Sequence, residues 1–306
     1  MADVSIVIVN WNAAEYLMRA VASVFADPFG GEREVLVVDN ASTDGSIALL
    51  ARTESRVRVV QMGENAGFAR ACNAGVRSSA GRYALLLNPD AELRPGALTA
   101  LVEVADRYPD AAMVGGLVVA PDATVDAASR RNVPTPGMAF ARLFRLPLAG
   151  RILGVPPYNV DAPADPPGSE VGAVSGSFLL LRRAAFDSLG GFDERFFLYA
   201  EDLDLCKRAR ASGWTVRSTD RAVAVHHKHV CAAQAPYRSL WYFYWTMIVF
   251  HRKHYALESP VFVNLGVYVG AAALFATRAL KMALARPGAR LRLATARRAA
   301  TLPSDR

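Results

Sequence analysis

Up to Val119 the chain alternates between short apolar runs and longer segments with apolar residues at helical spacing. Runs at 4–9, Glu34–Val38, Val57–Gln61, Tyr83–Leu87 and Ala112–Val119 predict strands, and Ala14–Phe25, Asp44–Ala51, Phe68–Ser78 and Gly96–Tyr108 predict helices between them. Apolar strands separated by helices imply βαβ units with right-handed crossovers. The expected fold is therefore α/β, with a mostly parallel central sheet and helices on both faces.

The pattern breaks after Val119. Nine of the seventeen prolines fall between Pro121 and Pro167, so 120–170 reads as a loop-rich insertion, a kind of segment that is usually functional or mobile. Order resumes with a strand over Gly172–Leu181, then Arg182–Leu189, Gly190-Gly191-Phe192-Asp193, a helix over Glu201–Ser212 and a strand over Trp214–Val225. From Tyr237 to Tyr255 the chain is aromatic and basic. Val261–Ala276 is uncharged and apolar, and Arg278, Lys281, Arg286 and further arginines follow it. Two domains are expected: a catalytic one over 1–230 and a helical, membrane-associating region over 231–306. The apolar run is shorter than the roughly 20 residues of a spanning helix, so an interfacial helix with a basic flank fits it better. A core helix with a solvated basic tail is the other reading.

Bulk properties narrow the class. A 306-residue chain that is 52% hydrophobic and 21% charged suits a globular enzyme. Its net charge of +7 asks for an anionic partner, such as a nucleic acid, an acidic membrane face or a phosphorylated substrate. The positive charge concentrates in the last thirty residues, beside the apolar run and not interleaved with aromatics along a groove, so nucleic acid is not expected. Cys72, Cys206 and Cys231 are odd in number and far apart, which points away from a disulfide framework and toward a reducing cytoplasm. The N-terminus runs almost at once into Val4–Val9 without a basic segment, so no signal peptide is expected.

Four polar clusters fall where strands end: Asn10-Trp11-Asn12, Asp39-Asn40-Ala41-Ser42-Thr43-Asp44-Gly45, Glu64-Asn65-Ala66-Gly67-Phe68 and Asn88-Pro89-Asp90. In a parallel sheet these turns share one rim, the edge where open α/β sheets bind ligands. Singly, each reads first as a turn or cap residue, and Asp90 read alone is as good a cap for a helix near Pro95 as a metal ligand. Together they suit a nucleotide, because Asp and Asn serve the donor and acceptor edges of bases and ribose. The first strand is not followed by G-x-G-x-x-G, and no P-loop is present, so a divalent ion on Asp90 is the expected means of neutralising phosphates. In the second half, Glu201-Asp202-Leu203-Asp204 opens a helix, where carboxylates serve either as bases or as plain caps. Val225 delivers His226, His227 and His229. His226 is a candidate metal ligand, while His227 and His229 read as a basic surface loop.

These motifs, in this order, resemble the inverting GT-A glycosyltransferases of family 2, and within them the rhamnosyltransferase branch. The likeness rests on Val7–Asn12, Val37–Gly45, Asn65–Phe68, Asn88–Asp90, Gly190–Glu194 and Glu201–Leu205, and spans about residues 4–228. It implies that Asn10, Asn12, Asp39, Asn65, Gly67 and Asn88 bind a nucleotide-sugar donor. It further implies that Asp90 and His226 bind Mg²⁺ or Mn²⁺, with the His226–His227 register open by one, and that Asp202, with Glu201 beside it, supplies the catalytic base. Asn88 stands where many relatives carry an acid, leaving one carboxylate in that triplet. Arg70 stands where relatives often have a small residue. The expected reaction moves a sugar, rhamnose from dTDP-rhamnose foremost, to a hydroxyl of a glycan or polyprenyl-diphosphate-linked acceptor in cell-wall or polysaccharide synthesis. It would take place in the cytoplasm, peripherally on the inner face of the plasma membrane. A UDP-hexose or UDP-galactofuranose donor, or a soluble acceptor, is the alternative. The insertion 121–167 and the segment 237–255 are the candidates for acceptor binding.

Overall fold

A computed structural model describes residues 2–138, 156–160, 167–227 and 230–299. Residues 139–155 and 161–166 of the proline-rich insertion, and His229, therefore lie outside the described residues. The chain forms two compact units, Met1–Ala235 and Pro236–Arg306.

In the first unit the predicted alternation becomes β1 (Val4–Asn10), α1 (Ala14–Ala26), β2 (Arg33–Asp39), α2 (Ser46–Thr53), β3 (Val57–Gln61), α3 (Phe68–Arg77), β4 (Tyr83–Leu87), β5 (Ala91–Leu93), α4 (Ala97–Arg107) and β6 (Ala111–Val119). The amphipathic spacing explains the packing. Helix α1 buries Leu17, Ala20, Val21 and Val24, one helical face, against the sheet. Helix α3 comes close enough that a side chain at Gly75 would sit 2.4 Å from Val7 and 2.8 Å from Val38. Ile6, Ile8, Leu17, Val37, Leu85, Leu98, Leu101 and Leu180 share one core, and each such burial stabilises by about 1.5–3 kcal/mol.

Short strands β7 (Arg130–Arg131), β8 (Ser169–Glu170) and β9 (Ala173–Val174) precede β10 (Phe178–Arg182), α5 (Arg183–Ser188), α6 (Glu201–Ala211) and β11 (Thr215–His226). The main sheet runs β3-β2-β1-β4-β10-β6-β11-β5, with β8 also on β11, while β7 and β9 form a separate pair. It is parallel from β3 to β4 and mixed beyond, because β10 lies antiparallel between β4 and β6. The strand expected over Gly172–Leu181 is split at Ser175-Gly176-Ser177, a break that matters below. Strand β5, three residues long, was not expected at all. It pairs antiparallel with the end of β11, setting His226 opposite Ala91.

The second unit is a pair of helices, α7 (Pro236–His254) and α8 (Val261–Ala299). Trp241 stacks on Trp245 at 5.8 Å, and Phe275 of α8 meets Trp241 edge-on at 5.5 Å. Asn264 ties the turn to α8, contacting His251 Nε2 at 2.6 Å and donating to the Ala256 carbonyl at 2.9 Å. Val261, Phe262, Leu265 and Val269 of α8 are solvent-exposed. The helix does not stop at Ala276: Val261–Leu284, 24 residues, is long and apolar enough to cross a membrane by length and composition. Length alone therefore does not separate a spanning helix from an interfacial one, as it did in the sequence.

Candidate active site

Parallel pairing of β1 and β2 sets Asn10 directly beside Asp39. Both are buried, and each is anchored by its neighbour loop. Asn10 Nδ2 donates to Ser42 Oγ and Ser46 Oγ, each at 2.9 Å, and Asp39 Oδ1 accepts from the Ser42 N–H at 3.2 Å. Asn10 Oδ1 is buried without a partner, an acceptor that a bound N–H or water would satisfy. Asn12 turns elsewhere: its Oδ1 accepts the Thr43 N–H at 2.7 Å, so it clasps the β2–α2 loop. Asp44 does similar work for two helices, accepting from the Ala14 N–H and from Ser46. Burial acts to raise its pKa, but these hydrogen bonds outweigh it and hold the carboxyl below its ordinary value.

Asn65 Oδ1 accepts the Gly67 N–H at 3.2 Å. Gly67 has φ of +87°, and a side chain there would sit 2.6 Å from the Phe197 carbonyl, so only glycine fits without strain. The Phe68 N–H donates to that same carbonyl at 2.7 Å. Asn40 locks the loop from the other side, donating to the Gly67 carbonyl and accepting the Ala66 N–H. The Asn65–Phe68 loop is thus fastened both to β2 and to the segment that leads into α6. Arg70 is half-exposed and lies 3.4 Å from Glu64.

The turn after β4 brings the next group together. Asp90 Oδ1 lies 2.9 Å from His226 Nε2, and Asn88 Nδ2 lies 3.2 Å from the same nitrogen. His227 points away, with its Nε2 2.7 Å from Glu92, and its ring is 5.3 Å from that of Tyr16. The β5–β11 pairing therefore selects His226 as the histidine facing Asp90. Asp90 does not cap α4, whose N-terminal cap is Gly96. No group of three or more His, Cys, Asp or Glu able to hold a metal is found among the described residues. The pair still fits a hard cation. Ligands held at about 2.1 Å and at right angles lie about 3 Å apart, and Mg²⁺ commonly takes only one or two carboxylates, the rest coming from phosphate and water.

Asp202 and Glu201 open α6, after Tyr199 and Ala200, both in the left-handed region at φ of 72° and 66°. Such strain at two consecutive non-glycine residues marks a position that the surrounding structure enforces. The two carboxyls, both buried, have opposite surroundings. Asp202 Oδ2 accepts from Arg131 Nη2 at 2.6 Å and from the Gly176 N–H at 2.9 Å, and Oδ1 accepts from the Leu203 N–H at 2.7 Å. Glu201 Oε2 has no partner. Burial, then the charge on Asp202, pushes the Glu201 carboxyl up to about 8, so it holds its proton at neutral pH. Of the pair, Asp202 is held by three donors, while Glu201 Oε2 has none. The break in the strand links these groups to the turn after β4: Gly176 binds Asp202, and the next residue, Ser177, accepts the Asn88 N–H at 3.0 Å.

The family model of glycosyl transferase family 2 matches residues 5–190. The chain belongs to glycosyl transferase family 2. It is 34% identical over 242 residues to the N-acetylglucosaminyl-diphospho-decaprenol L-rhamnosyltransferase of Mycobacterium tuberculosis, an alignment covering 74% of this chain and 77% of that one. It is 30% identical to the O-antigen biosynthesis protein RfbC of Myxococcus xanthus, over 74% of this chain and 17% of that one. Among solved structures it resembles the mannosyltransferase PcManGT of Pyrobaculum calidifontis in complex with GDP-Man and Mn²⁺, at a TM-score of 0.58 and 18% identity, covering 95% of this chain and 81% of that one. The fold is GT-A, and the protein is a glycosyltransferase.

Within this family 2 enzyme, the motif Gly190–Glu194 turns out to be scaffolding. Asn73 donates to the Phe192 carbonyl and to Glu194, and accepts the Phe192 N–H. Arg208 donates to the carbonyls of Leu189 and Gly191. Those contacts hold the approach to α6. Sequence reasoning missed Arg131, Asn40 and the Ser175–Ser177 break. Asn40 was legible as part of its motif, but a paired arginine inside a proline-rich stretch carries no local signal.

Proposed function

We propose that this enzyme transfers L-rhamnose from dTDP-rhamnose to a hydroxyl of a polyprenyl-diphosphate-linked saccharide, with inversion at the anomeric carbon. The observation that carries the reading is the joining of two groups by one strand break: the Asp90–His226 pair, 2.9 Å apart, and Asp202 are connected through Gly176 and Ser177. The donor sugar and acceptor class follow the mycobacterial relative, whose match extends across most of both chains.

In this reading Asp39, Asn10 and Asn65 hold the nucleoside, Gly67 keeps the loop close, and Asn88 lies on the diphosphate side. Asn12 contributes by fixing the β2–α2 loop. A divalent cation held by Asp90 and His226 would neutralise diphosphate charge as a Lewis acid. Asp202 Oδ1 takes the proton of the acceptor hydroxyl. That oxygen attacks the anomeric carbon from the face opposite the diphosphate, and the bond to the diphosphate breaks with its electron pair leaving on the nucleotide. Glu201, whose carboxyl is pushed up by burial and by the charge on Asp202, is given no proton-accepting role in this reading. In Asp202→Asn, transfer of label from dTDP-rhamnose should fall about 10²- to 10⁴-fold while donor Kd stays near wild type. Retained turnover would remove Asp202 as the base.

The second unit is the proposed anchor on an anionic membrane face. The supporting feature is the exposed row Val261, Phe262, Leu265 and Val269, followed by Arg278 and Lys281. Apolar burial and basic attraction together give stable attachment where either alone is weak. The pair Leu265→Asp and Val269→Asp should sharply reduce co-sedimentation with phosphatidylglycerol vesicles while leaving the melting temperature unchanged. Undiminished sedimentation would rule out this face.

A further inference from the structure

We infer that Arg131, contributed by the insertion, is the positioning residue that holds Asp202 in its working orientation with Oδ1 turned to the acceptor. The inference rests on Asp202 being the base. Arg131 Nη2 donates to Asp202 Oδ2 at 2.6 Å and to the Val174 carbonyl at 2.8 Å, so one nitrogen bridges the carboxylate and strand β9. Nη1 reaches Tyr158 Oη at 3.5 Å. The backbone is equally fixed: Arg131 pairs with Ala173 across β7–β9 and bridges to Asn159. The neighbouring Arg130 points to the other side and binds Asp220 of β11.

The arrangement distributes the oxygens of Asp202 unequally. Oδ2 already accepts two donors, Arg131 and the Gly176 N–H, whereas Oδ1 accepts only the Leu203 N–H. The proton must therefore arrive on Oδ1. The guanidinium also gives that carboxyl group a partner where both side chains are only 9% exposed. A buried ion pair is a poor source of net stability, because both charges lose their hydration. What this one provides is an oriented base, and it makes the insertion a structural part of the catalytic centre. A lysine cannot substitute fully, since a point charge lacks the planar fork.

The test compares Arg131→Met and Arg131→Lys in the full chain, with dTDP-rhamnose and a short-chain polyprenyl-diphosphate N-acetylglucosamine acceptor. The methionine variant should lose at least about 100-fold in kcat, and the lysine variant at least about 10-fold, with donor Kd in both within about 3-fold of wild type. A kcat within about 3-fold of wild type in either variant overturns the inference. Should the methionine variant fail to fold, the lysine variant decides alone. In an Asp202→Asn background, Arg131→Met should cost no further activity, because the residue acts only through Asp202; an additional loss there overturns it. An active Asp202→Asn enzyme instead defeats the reading of Asp202 as the base, whereas an inactive one beside an unimpaired Arg131→Met defeats the inference alone.

Discussion

The donor rim and the surroundings of Asp202 both present carboxylates, but they hold them by different means. On the rim, Asp39 and Asp90 come from strand ends and are met by neutral or weakly basic groups: a Ser42 N–H for one, the His226 ring for the other. At α6, Asp202 is held by a full guanidinium from the insertion, and Glu201 beside it goes without any countercharge on Oε2. The rim is built by the regular part of the fold. The α6 group is built by the irregular part and is already neutralised from within. In the proposed reading the rim takes its cation with the ligand, whereas the proposed base Asp202 is paired with a guanidinium from within the protein.

That difference can be broken at its open end first. Asp90→Ala removes the single carboxylate beside His226, so the stabilisation that Mn²⁺ adds to donor binding should vanish. The added shift in melting temperature with dTDP-rhamnose plus Mn²⁺ would fall to the value with donor alone, because differential binding registers directly in stability. An unchanged metal-dependent shift would reject Asp90 and His226 as the cation site. Asp202→Asn should leave that same shift intact, which separates the two regions in a single assay.

A smaller effect sharpens the comparison at α6. Glu201 is raised from 4.5 to about 8 by burial and by the charge on Asp202. A raised carboxyl binds its proton in the folded state after the unfolded chain has released it, so its contribution is complete below about 4.5 and is lost as pH rises through about 8. The melting temperature of the wild type should thus decline across that window relative to Glu201→Gln, which has no proton to lose. Parallel curves from pH 4.5 to 8 would show that Glu201 titrates as an ordinary exposed acid.

Asp39, Asp90 and Asp202 could be picked out of the sequence because each follows or opens a regular element, and regular elements announce themselves by local periodicity. Gly67 was legible for the same reason, as the residue before a helical segment. The pairing of Asp90 with His226 was expected only from the family resemblance, with the histidine register open by one, and had no local signal. It joins residues 136 apart, and it depends on β5, a strand too short to carry an alternation of its own. The Arg131–Asp202 contact spans 71 residues and starts in a proline-rich segment whose local pattern predicts only irregular chain.

By itself, then, the sequence determined the alternation of strands and helices, the polar strand ends, the family and the apolar–basic character of the second unit. All of these depend on residues close together in the chain. Tertiary structure decided which histidine faces Asp90, which of two adjacent acids is paired with Arg131, and where β10 enters the sheet. Those outcomes turn on long-range pairing and on burial, which set the charge of a carboxyl only when distant elements close around it.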